Sequence, residues 1–291
     1  MAELRAYAPR TVAEKLKKSC RGSVLLVTSK GIYLELEGWV LALCPEVWGT
    51  VPVGISIVEY DRILALKPEA GQRILCENGE LRFPGGSVRL CTETVTEKSC
   101  GEVPVESAVR QTAEELLAGS GTTGLAPLAA PLLCNRKQPR ENLHQTVALP
   151  ALTAVREGLK EDDGHRTAAA ALRLLGLGTG LTPSGDDVIC GMLYVLLRSR
   201  WKRRKSVSAL ADAIKTEASE RTNRISAAYL TAIARGEAYG RMEAVWRMLT
   251  GEASCPIRYL TEVGSNSGSE MLLGMLLAAD LLCGGKEEVY G

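Results

Sequence analysis

The chain has 291 residues, of which 46% are apolar, and its 35 basic and 34 acidic side chains leave a net charge of +1. This length supports a globular protein of one or two domains, and the balanced charge offers no overall field that would attract nucleic acid or a membrane surface. Only two histidines occur, His144 and His165. A zinc site built on several histidines is therefore nearly excluded.

Cysteine use and apolar segments predict the compartment. Nine cysteines are present, and no two are closer than nine residues, so the C-x-x-C spacing of zinc, iron–sulfur and redox sites does not occur. Residues 1–21 lack the continuous apolar core of a signal peptide, and the most membrane-like run, residues 188–197, is too short to cross a bilayer. We therefore expect a cytoplasmic protein with reduced thiols and with no membrane or nucleic-acid partner.

The first 120 residues are predicted to form a β-rich N-terminal domain. After a short helix over residues 11–20, segments rich in Val, Ile, Leu and Tyr alternate with Gly and Pro. Their even spacing indicates an antiparallel sheet or a small barrel over residues 20–103, followed by a helix over residues 105–117. The predicted strands are residues 23–28, 31–36, 39–43, 51–58, 72–76, 80–83 and 87–91.

Helices are predicted for most of the remaining chain. Residues 121–150 form a connector rich in Gly, Pro and Ala, and residues 151–291 form an α-helical domain in which apolar residues recur three and four positions apart. Strands followed by helices indicate an α+β fold. The predicted helices are residues 152–160, 164–175, 183–201, 206–221, 223–235, 239–250, 256–263 and 267–283.

The densest motif lies between two predicted helices and reads Gly176-Leu-Gly178-Thr179-Gly180-Leu-Thr182-Pro183-Ser184-Gly185-Asp186-Asp187. Its alternating glycines permit positive φ angles, and Thr182 or Ser184 can cap the helix that follows. Amides at such a helix N-terminus attract phosphate or carboxylate, whereas the two aspartates would repel an anion unless a cation such as Mg²⁺ lay between. The motif is neither a Walker A loop nor a dinucleotide-binding G-x-G-x-x-G turn.

A related pattern occurs 83 residues later along the chain. The run Ser184-Gly-Asp-Asp187-x-x-x-Gly191 aligns without a gap with Ser267-Gly-Ser-Glu270-x-x-x-Gly274. Each run begins an apolar helix, and the later glycine would allow two helices to pack closely. If the two helix starts converge, they bring three carboxylates to a common pocket floored by main-chain amides, namely Asp186, Asp187 and Glu270.

Simpler interpretations remain open for these motifs. Both Ser-x-x-acid pairs fit a capping box, in which the acid returns a hydrogen bond to the amide of the cap residue. The segment 221–226, Arg-Thr-Asn-Arg-Ile-Ser, either marks a break between helices capped by Thr222 or Asn223, or forms a polar wall of the same site. The six basic residues within 198–205 favour a solvated helix C-terminus over a nucleic-acid patch.

Three segments resemble signatures of the AllH-like family, bacterial proteins typified by a subunit of oxamate carbamoyltransferase. The run Gly176–Asp187 is similar to the first signature, and residues 221–226 and 264–270 are similar to the second and third. The third departs from the family pattern in having Ser265 in place of a histidine and Glu270 in place of an aspartate. The resemblance covers about residues 152–283.

The resemblance implies a subunit that acts beside FdrA-like and AllG-like partners in converting oxalurate and phosphate into oxamate and carbamoyl phosphate, in purine nitrogen catabolism. The alternative is a non-catalytic ligand-binding or assembly subunit acting on another ureido or acyl substrate. We expect catalytic roles for Asp186, Asp187 and Glu270, with the two aspartates holding Mg²⁺ or Mn²⁺. The expected residues for binding a small anionic ligand are Gly178, Thr179, Gly180, Thr182, Ser184, Gly185, Asn223, Arg224, Ser267 and Gly268.

Overall fold

The computed structural model describes residues 2–95, 101–121, 123–137, 142–237 and 239–284. The chain separates into two compact units. One contains residues 1–98 together with 237–241, and the other contains residues 99–236 and 242–291. Strands make up the first unit and helices the second, which agrees with the predicted α+β class.

Eight strands close into a barrel in the first unit. Around the barrel they run in the order β1-β5-β4-β3-β2-β6-β7-β8. Alternate residues point inward, as along β3, where Ile32, Leu34 and Leu36 are fully buried. The strands are β1 Ala2–Pro9, β2 Cys20–Val27, β3 Ile32–Leu36, β4 Trp39–Pro45, β5 Gly54–Ile57, β6 Arg73–Glu77, β7 Glu80–Phe83 and β8 Gly86–Val95.

The first strand was missed in the sequence, and it is the strand that closes the barrel. Strand β1 pairs in parallel with β8 from Ala2 opposite Val88 to Pro9 opposite Val95, and β4 also pairs in parallel with β5. The predicted small barrel is therefore confirmed, whereas the antiparallel pairing expected of the strands does not hold for these two pairs. The inward positions of β1 include Ala6 and Ala8, and alanine carries little strand signal.

Two short helices accompany the strands, α1 (Arg10–Leu16) and α2 (Asp61–Leu64), and α1 ends earlier than predicted. The other ten helices are α3 Glu106–Gly119, α4 Ala129–Leu133, α5 Leu143–Glu161, α6 Gly164–Leu172, α7 Ser184–Arg198, α8 Lys205–Arg221, α9 Arg224–Ala234, α10 Gly240–Leu249, α11 Arg258–Thr261 and α12 Ser267–Gly284. Helix α3 belongs to the helical unit, whereas the sequence placed it with the strands.

Helix α5 begins inside the predicted connector. Asn142 and Gln145 form a capping box that starts the helix, and the helix then runs through Pro150. The capping box supplies the first-turn hydrogen bonds locally, so this helix begins at Leu143, about two and a half turns before the predicted start at residue 152. Helices α4 and α5 thus occupy part of the predicted connector.

Helices α7 and α12 form the centre of the helical unit. Every residue of α7 from Ser184 to Leu196 is buried, as expected for a helix that is covered on all sides. A Cβ added at Gly191 would lie 2.0 Å from the main-chain oxygen of Met271, and one at Gly274 would lie 2.0 Å from that of Val188. The two glycines therefore let the helix backbones touch. The two contacts are equivalent, because Gly274 and Met271 are the counterparts of Gly191 and Val188 in the 83-residue repeat.

Helix α12 is also the one helix among the described residues that is long and apolar enough to cross a membrane by length and composition. Of its 18-residue window, with mean hydropathy 1.3, 72% is buried inside the structure. This burial accounts for its apolar composition, because α12 packs along α7. The cytoplasmic location stays a prediction.

Candidate functional site

The glycine-rich segment forms an exposed turn between α6 and α7. Gly176, Gly178 and Gly180 have φ angles of +74°, +122° and +110°, which other residues adopt only with strain. The amides of Gly178, Thr179 and Gly180 donate to no other described residue. Thr179 and Gly180 are exposed, so this turn presents main-chain N–H groups to solvent.

The start of α7 differs from the expected cap. Pro183 occupies the N-cap position without a side-chain hydrogen bond, and Ser184 is the first residue of the helix. The amide of Gly185 donates to the carbonyl of Leu177 at 2.8 Å, and that of Gly268 donates to Val263 at 2.9 Å. Both of these amides are therefore engaged within the protein and are not available to a ligand.

Asp186 is buried and holds three segments together. Its carboxylate accepts hydrogen bonds from the amide of Gly176 at 2.8 Å, from the Ser226 hydroxyl at 2.6 Å and from the Thr222 hydroxyl. Burial raises the pKa of the Asp186 carboxyl, and these three donors oppose that rise. The contacts join the glycine turn to α7 and to the start of α9.

The segment 221–226 combines the two interpretations left open for it. Asn223 caps α9 by accepting from the amides of Ile225 and Ser226, both at 3.1 Å, and its side-chain amide donates to the carbonyl of Leu181 at 2.9 Å. It is thus both a helix break and a support of the glycine turn. Arg224 is exposed beside it.

The two Ser-Gly helix starts meet, and each serine bonds to the acid of the other helix. Ser184 on α7 donates to Glu270 on α12, and Ser267 on α12 donates to Asp187 on α7. Thr182 joins the pair, because its Oγ1 lies 3.0 Å from Oδ2 of Asp187 and 2.9 Å from Oγ of Ser267. The serines and acids are therefore exchanged between the two helices instead of forming a capping box within each helix.

Asp187 and Glu270 are buried carboxyl groups that interact electrostatically. Complete burial raises the pKa of Asp187 well above its ordinary value, and the charge of Glu270 raises it further. Burial also raises the pKa of Glu270, while the Ser184 hydroxyl, the Leu125 amide and His144 lower it. Burial therefore raises the pKa of both carboxyls, and the pKa of Asp187 is raised further by the charges of Glu270 and Asp186.

A second contact of Glu270 was not anticipated from the sequence. Its Oε1 accepts from the amide of Leu125 at 3.0 Å, and the neighbouring Gly124 carbonyl accepts from Nε2 of Gln145 at 2.7 Å. A Cβ at Gly124, where φ is +69°, would lie 2.4 Å from Oε1 of Glu270. In the sequence, Gly124 indicates a turn, and Asn142 with Gln145 indicates the start of a helix. Neither feature predicts a contact with Glu270.

A polar pocket of about 200 Å³ opens beside Glu270. It lies between the end of α3, the turn that follows α3, helix α11 and the start of α12. Ser265, Asn266, Ser269 and Glu270 line it from the third signature segment. Residues of the glycine turn do not line it, but Ser184 and Thr182 connect that turn to Glu270 and Ser267.

The described residues offer no ready metal site. No group of three or more His, Cys, Asp or Glu side chains among them is placed to hold one ion. Both oxygens of Asp186 are taken by protein donors, so the paired aspartates do not open toward a common ion. The divalent cation stays a prediction without a further ligand to support it.

The basic residues 198–205 are largely used inside the helical unit. Arg204 lies over the ring of buried Trp201 at 4.3 Å and donates to the carbonyl of Lys160. Arg200 donates to the carbonyl of Leu282, and Lys202 pairs with Glu102 at 3.2 Å. These contacts involve three of the six basic residues, while Arg203 and Lys205 are exposed, and the absence of a nucleic-acid partner stays a prediction.

Comparison with known proteins gives a family match for the part of the chain that contains these residues. Residues 174–279 match the family model for oxamate carbamoyltransferase subunit AllH. The resemblance noted in the sequence is confirmed over this region. All three signature segments lie within the match, and so do Asp186, Asp187 and Glu270. No solved structure matches the chain.

Proposed function

We propose that this AllH-like chain is a subunit of a carbamoyltransferase complex that converts oxalurate and phosphate into oxamate and carbamoyl phosphate. FdrA-like and AllG-like proteins are its proposed partners. The observation that carries the proposal is the convergence of all three signature segments, within the region matched by the AllH family, on one buried cluster.

The glycine turn is the proposed anion site. Thr179 and Gly180 are exposed, and the amides of Gly178, Thr179 and Gly180 have no acceptor among the described residues. Backbone N–H groups beside a helix N-terminus suit phosphate, because the amides donate hydrogen bonds and the helix dipole favours negative charge. Phosphate and carbamoyl phosphate are the anions of the proposed reaction.

The carboxyl pair beneath the turn is proposed to act in proton transfer. Burial and the charge of Glu270 raise the pKa of Asp187, which favours a proton on this pair, and the hydroxyls of Thr182 and Ser267 lie beside Asp187. A shared proton in such a network can move to or from a substrate nitrogen or oxygen. Asp186 positions this machinery, since its own oxygens are fully engaged.

A non-catalytic assembly subunit is the second candidate. The observation that favours it is the near-complete burial of Asp187 and Glu270, which are 1% and 2% exposed. In that case the cluster would serve to hold α7 and α12 in the shape that a partner subunit recognises.

A pair of glycine variants tests the anion site. Gly180 and Gly236 are both exposed with positive φ, and an added Cβ would meet nothing within 3.9 Å at either position. Gly180→Ala and Gly236→Ala therefore impose the same type of backbone strain, one inside the turn and one outside it. Each variant is combined with the FdrA-like and AllG-like proteins, and carbamoyl phosphate formation is measured against phosphate concentration.

We expect Gly180→Ala to raise the KM for phosphate by at least ~10-fold with assembly retained, and Gly236→Ala to behave like the unaltered protein. Equal kinetics for the two variants would contradict the anion site. A complex that turns over at full rate without this chain would contradict the catalytic proposal and leave the assembly role.

A further inference from the structure

The pocket beside Glu270 has a lining that suits one class of ligand. Its volume is about 200 Å³, and its polar side chains are Ser120, Thr123, Thr261, Ser265, Asn266, Ser269 and Glu270. None of the described residues that line it is Lys or Arg. A ligand whose anionic end entered this pocket would meet a carboxylate and no cation, so the charge pattern favours a neutral, hydrogen-bonding group.

Glu270 brings unused hydrogen-bonding capacity to this pocket. The side chain is 2% exposed, and among the described residues the donors to its carboxylate are the Leu125 amide and the Ser184 hydroxyl. An ionised carboxylate has about four acceptor positions. Acceptor positions thus remain on a buried group that forms part of the pocket wall, and a buried acceptor is stabilised when a donor reaches it.

The contacts of Glu270 support an acceptor role. Its Oε1 already accepts a hydrogen bond from the Leu125 amide at 3.0 Å, so the carboxyl group acts as an acceptor toward the protein. Burial raises the pKa of Glu270, and hydrogen bonds from Ser184 and Leu125 oppose that rise by favouring the ionised form. Because Glu270 also lines the pocket, it can accept N–H groups from a ligand there.

We propose that this pocket binds the primary amide or ureido end of a small ligand, with the Glu270 carboxylate accepting its N–H hydrogen bonds. The hydroxyls of Ser265 and Ser269 and the side-chain amide of Asn266 surround the carbonyl of that group. The remaining wall is partly apolar, with Leu116 and Ile257, which suits the flat faces of an amide.

This inference deepens the proposed function and rests on it for the identity of the ligand. Oxalurate carries a ureido end and oxamate an amide end, so both present the N–H groups that Glu270 would accept. The anion site at the glycine turn and the amide site at the pocket are joined by the Thr182–Ser267 contact and the Ser184–Glu270 hydrogen bond.

The test compares oxamate with pyruvate on the isolated full-length protein. The two anions have the same carboxylate and nearly the same shape, but pyruvate has a methyl group where oxamate has its amide nitrogen. Binding of each is measured by calorimetry or ligand-observed NMR. We expect oxamate to bind at least ~10-fold more tightly than pyruvate, because a site built to accept N–H bonds rejects an analogue without them.

Three variants locate the effect. Glu270→Gln places a donor where the ligand needs an acceptor, so we expect the preference for oxamate to fall to ~3-fold or less. Ser269→Leu fills the pocket and is expected to weaken oxamate binding by at least ~10-fold. Glu262→Gln is the matched control, since it removes one exposed negative charge just before α12 without lining the pocket, and it should keep the full preference.

Equal binding of oxamate and pyruvate to the unaltered protein, or an unchanged preference in Glu270→Gln, would overturn the inference. Loss of carbamoyl transfer from the assembled complex with the oxamate preference intact would contradict the proposed function alone. Normal carbamoyl transfer by a protein that binds oxamate and pyruvate equally would contradict only the assignment of the pocket. The two failures are therefore distinguishable.

Discussion

Asp186 and Asp187 are adjacent in sequence, yet they have opposite surroundings. Asp186 accepts three hydrogen bonds and joins the glycine turn to α9. Asp187 points toward α12, where it meets Ser267, Thr182 and the charge of Glu270. A pair of carboxylates that resembles a cation site in the sequence thus consists of one carboxylate that joins the glycine turn to α9 and one member of a buried acid pair.

The buried acid pair predicts an unusual dependence of stability on pH. Because the pKa of Asp187 is raised in the folded protein, the folded state holds a proton that the unfolded chain releases near pH 4. The stability due to this group is full below that pH and is lost as the pH rises through the folded pKa. Asp187→Asn cannot ionise, so it should raise the melting temperature at pH 7 by ~3 °C or more and flatten the decline above pH 4.

Thermal unfolding measured from pH 4 to pH 8 checks this expectation. Glu220→Gln makes the same charge change at an exposed position on α8 and should leave the melting temperature within ~1 °C at every pH. A melting temperature for Asp187→Asn that is below that of the unaltered protein at pH 7 would show that the ionised carboxylate is stabilising.

At the scale of elements, the crossing of α7 and α12 determines the geometry of the site. Gly191 faces the main-chain oxygen of Met271, and Gly274 faces that of Val188. This close approach lets the first turn of each helix reach the other, where the serines and acids are exchanged. The site therefore depends on two glycines that touch neither a predicted ligand nor the acid pair.

Gly191→Ala tests this dependence. The added Cβ would lie 2.0 Å from a main-chain oxygen, so the helices must separate, and we expect a loss of ~3 kcal/mol in the free energy of unfolding. Gly284→Ala at the end of α12 meets nothing within 4 Å and should change it by less than ~0.5 kcal/mol. Urea unfolding of the two variants makes the comparison, and equal midpoints would mean that α7 and α12 can move apart at no cost.

At the scale of the whole molecule, the barrel unit takes a residue from the helical part of the sequence. Arg241 is 5% exposed, and it donates to the carbonyls of Trp48 at 3.1 Å and Val47 at 2.7 Å. Its guanidinium also lies 4.8 Å from the centre of the Trp48 ring. Residues 237–241 are thus part of the barrel unit although helices precede and follow them.

Arg241→Ala should destabilise the barrel unit by ~2–4 kcal/mol, because two carbonyls lose a charged donor and the Trp48 ring loses its stacked partner. Near-UV circular dichroism and tryptophan fluorescence during urea unfolding follow this loss. The exposed Arg235→Ala is the control and should unfold at an unchanged midpoint. A normal midpoint for Arg241→Ala would mean that solvent replaces the guanidinium.

Much of the fold follows from local patterns in the sequence. Alternating apolar residues predicted strands β2 to β8, and apolar residues three and four apart predicted most of the helices, because burial on one face leaves a period in the chain. The glycine turn was also predicted from a local pattern, because positive φ angles such as those of Gly176, Gly178 and Gly180 favour glycine. The internal repeat raised the possibility that α7 and α12 start close together, and the 2.9 Å contact of Thr182 with Ser267 shows that they do.

Only the tertiary structure decided which groups meet. Strand β1 closes the barrel by pairing with β8, more than 80 positions away. The spacing of apolar residues within a strand does not indicate which distant strand it pairs with. The sequence made Ser184 and Asp187 a plausible capping pair, but the crossing of two helices at Gly191 and Gly274 exchanged their partners. Glu270 received its contact with Leu125 in the same way. Local backbone preferences depend on neighbouring residues, whereas the pairing of distant side chains depends on how the elements pack.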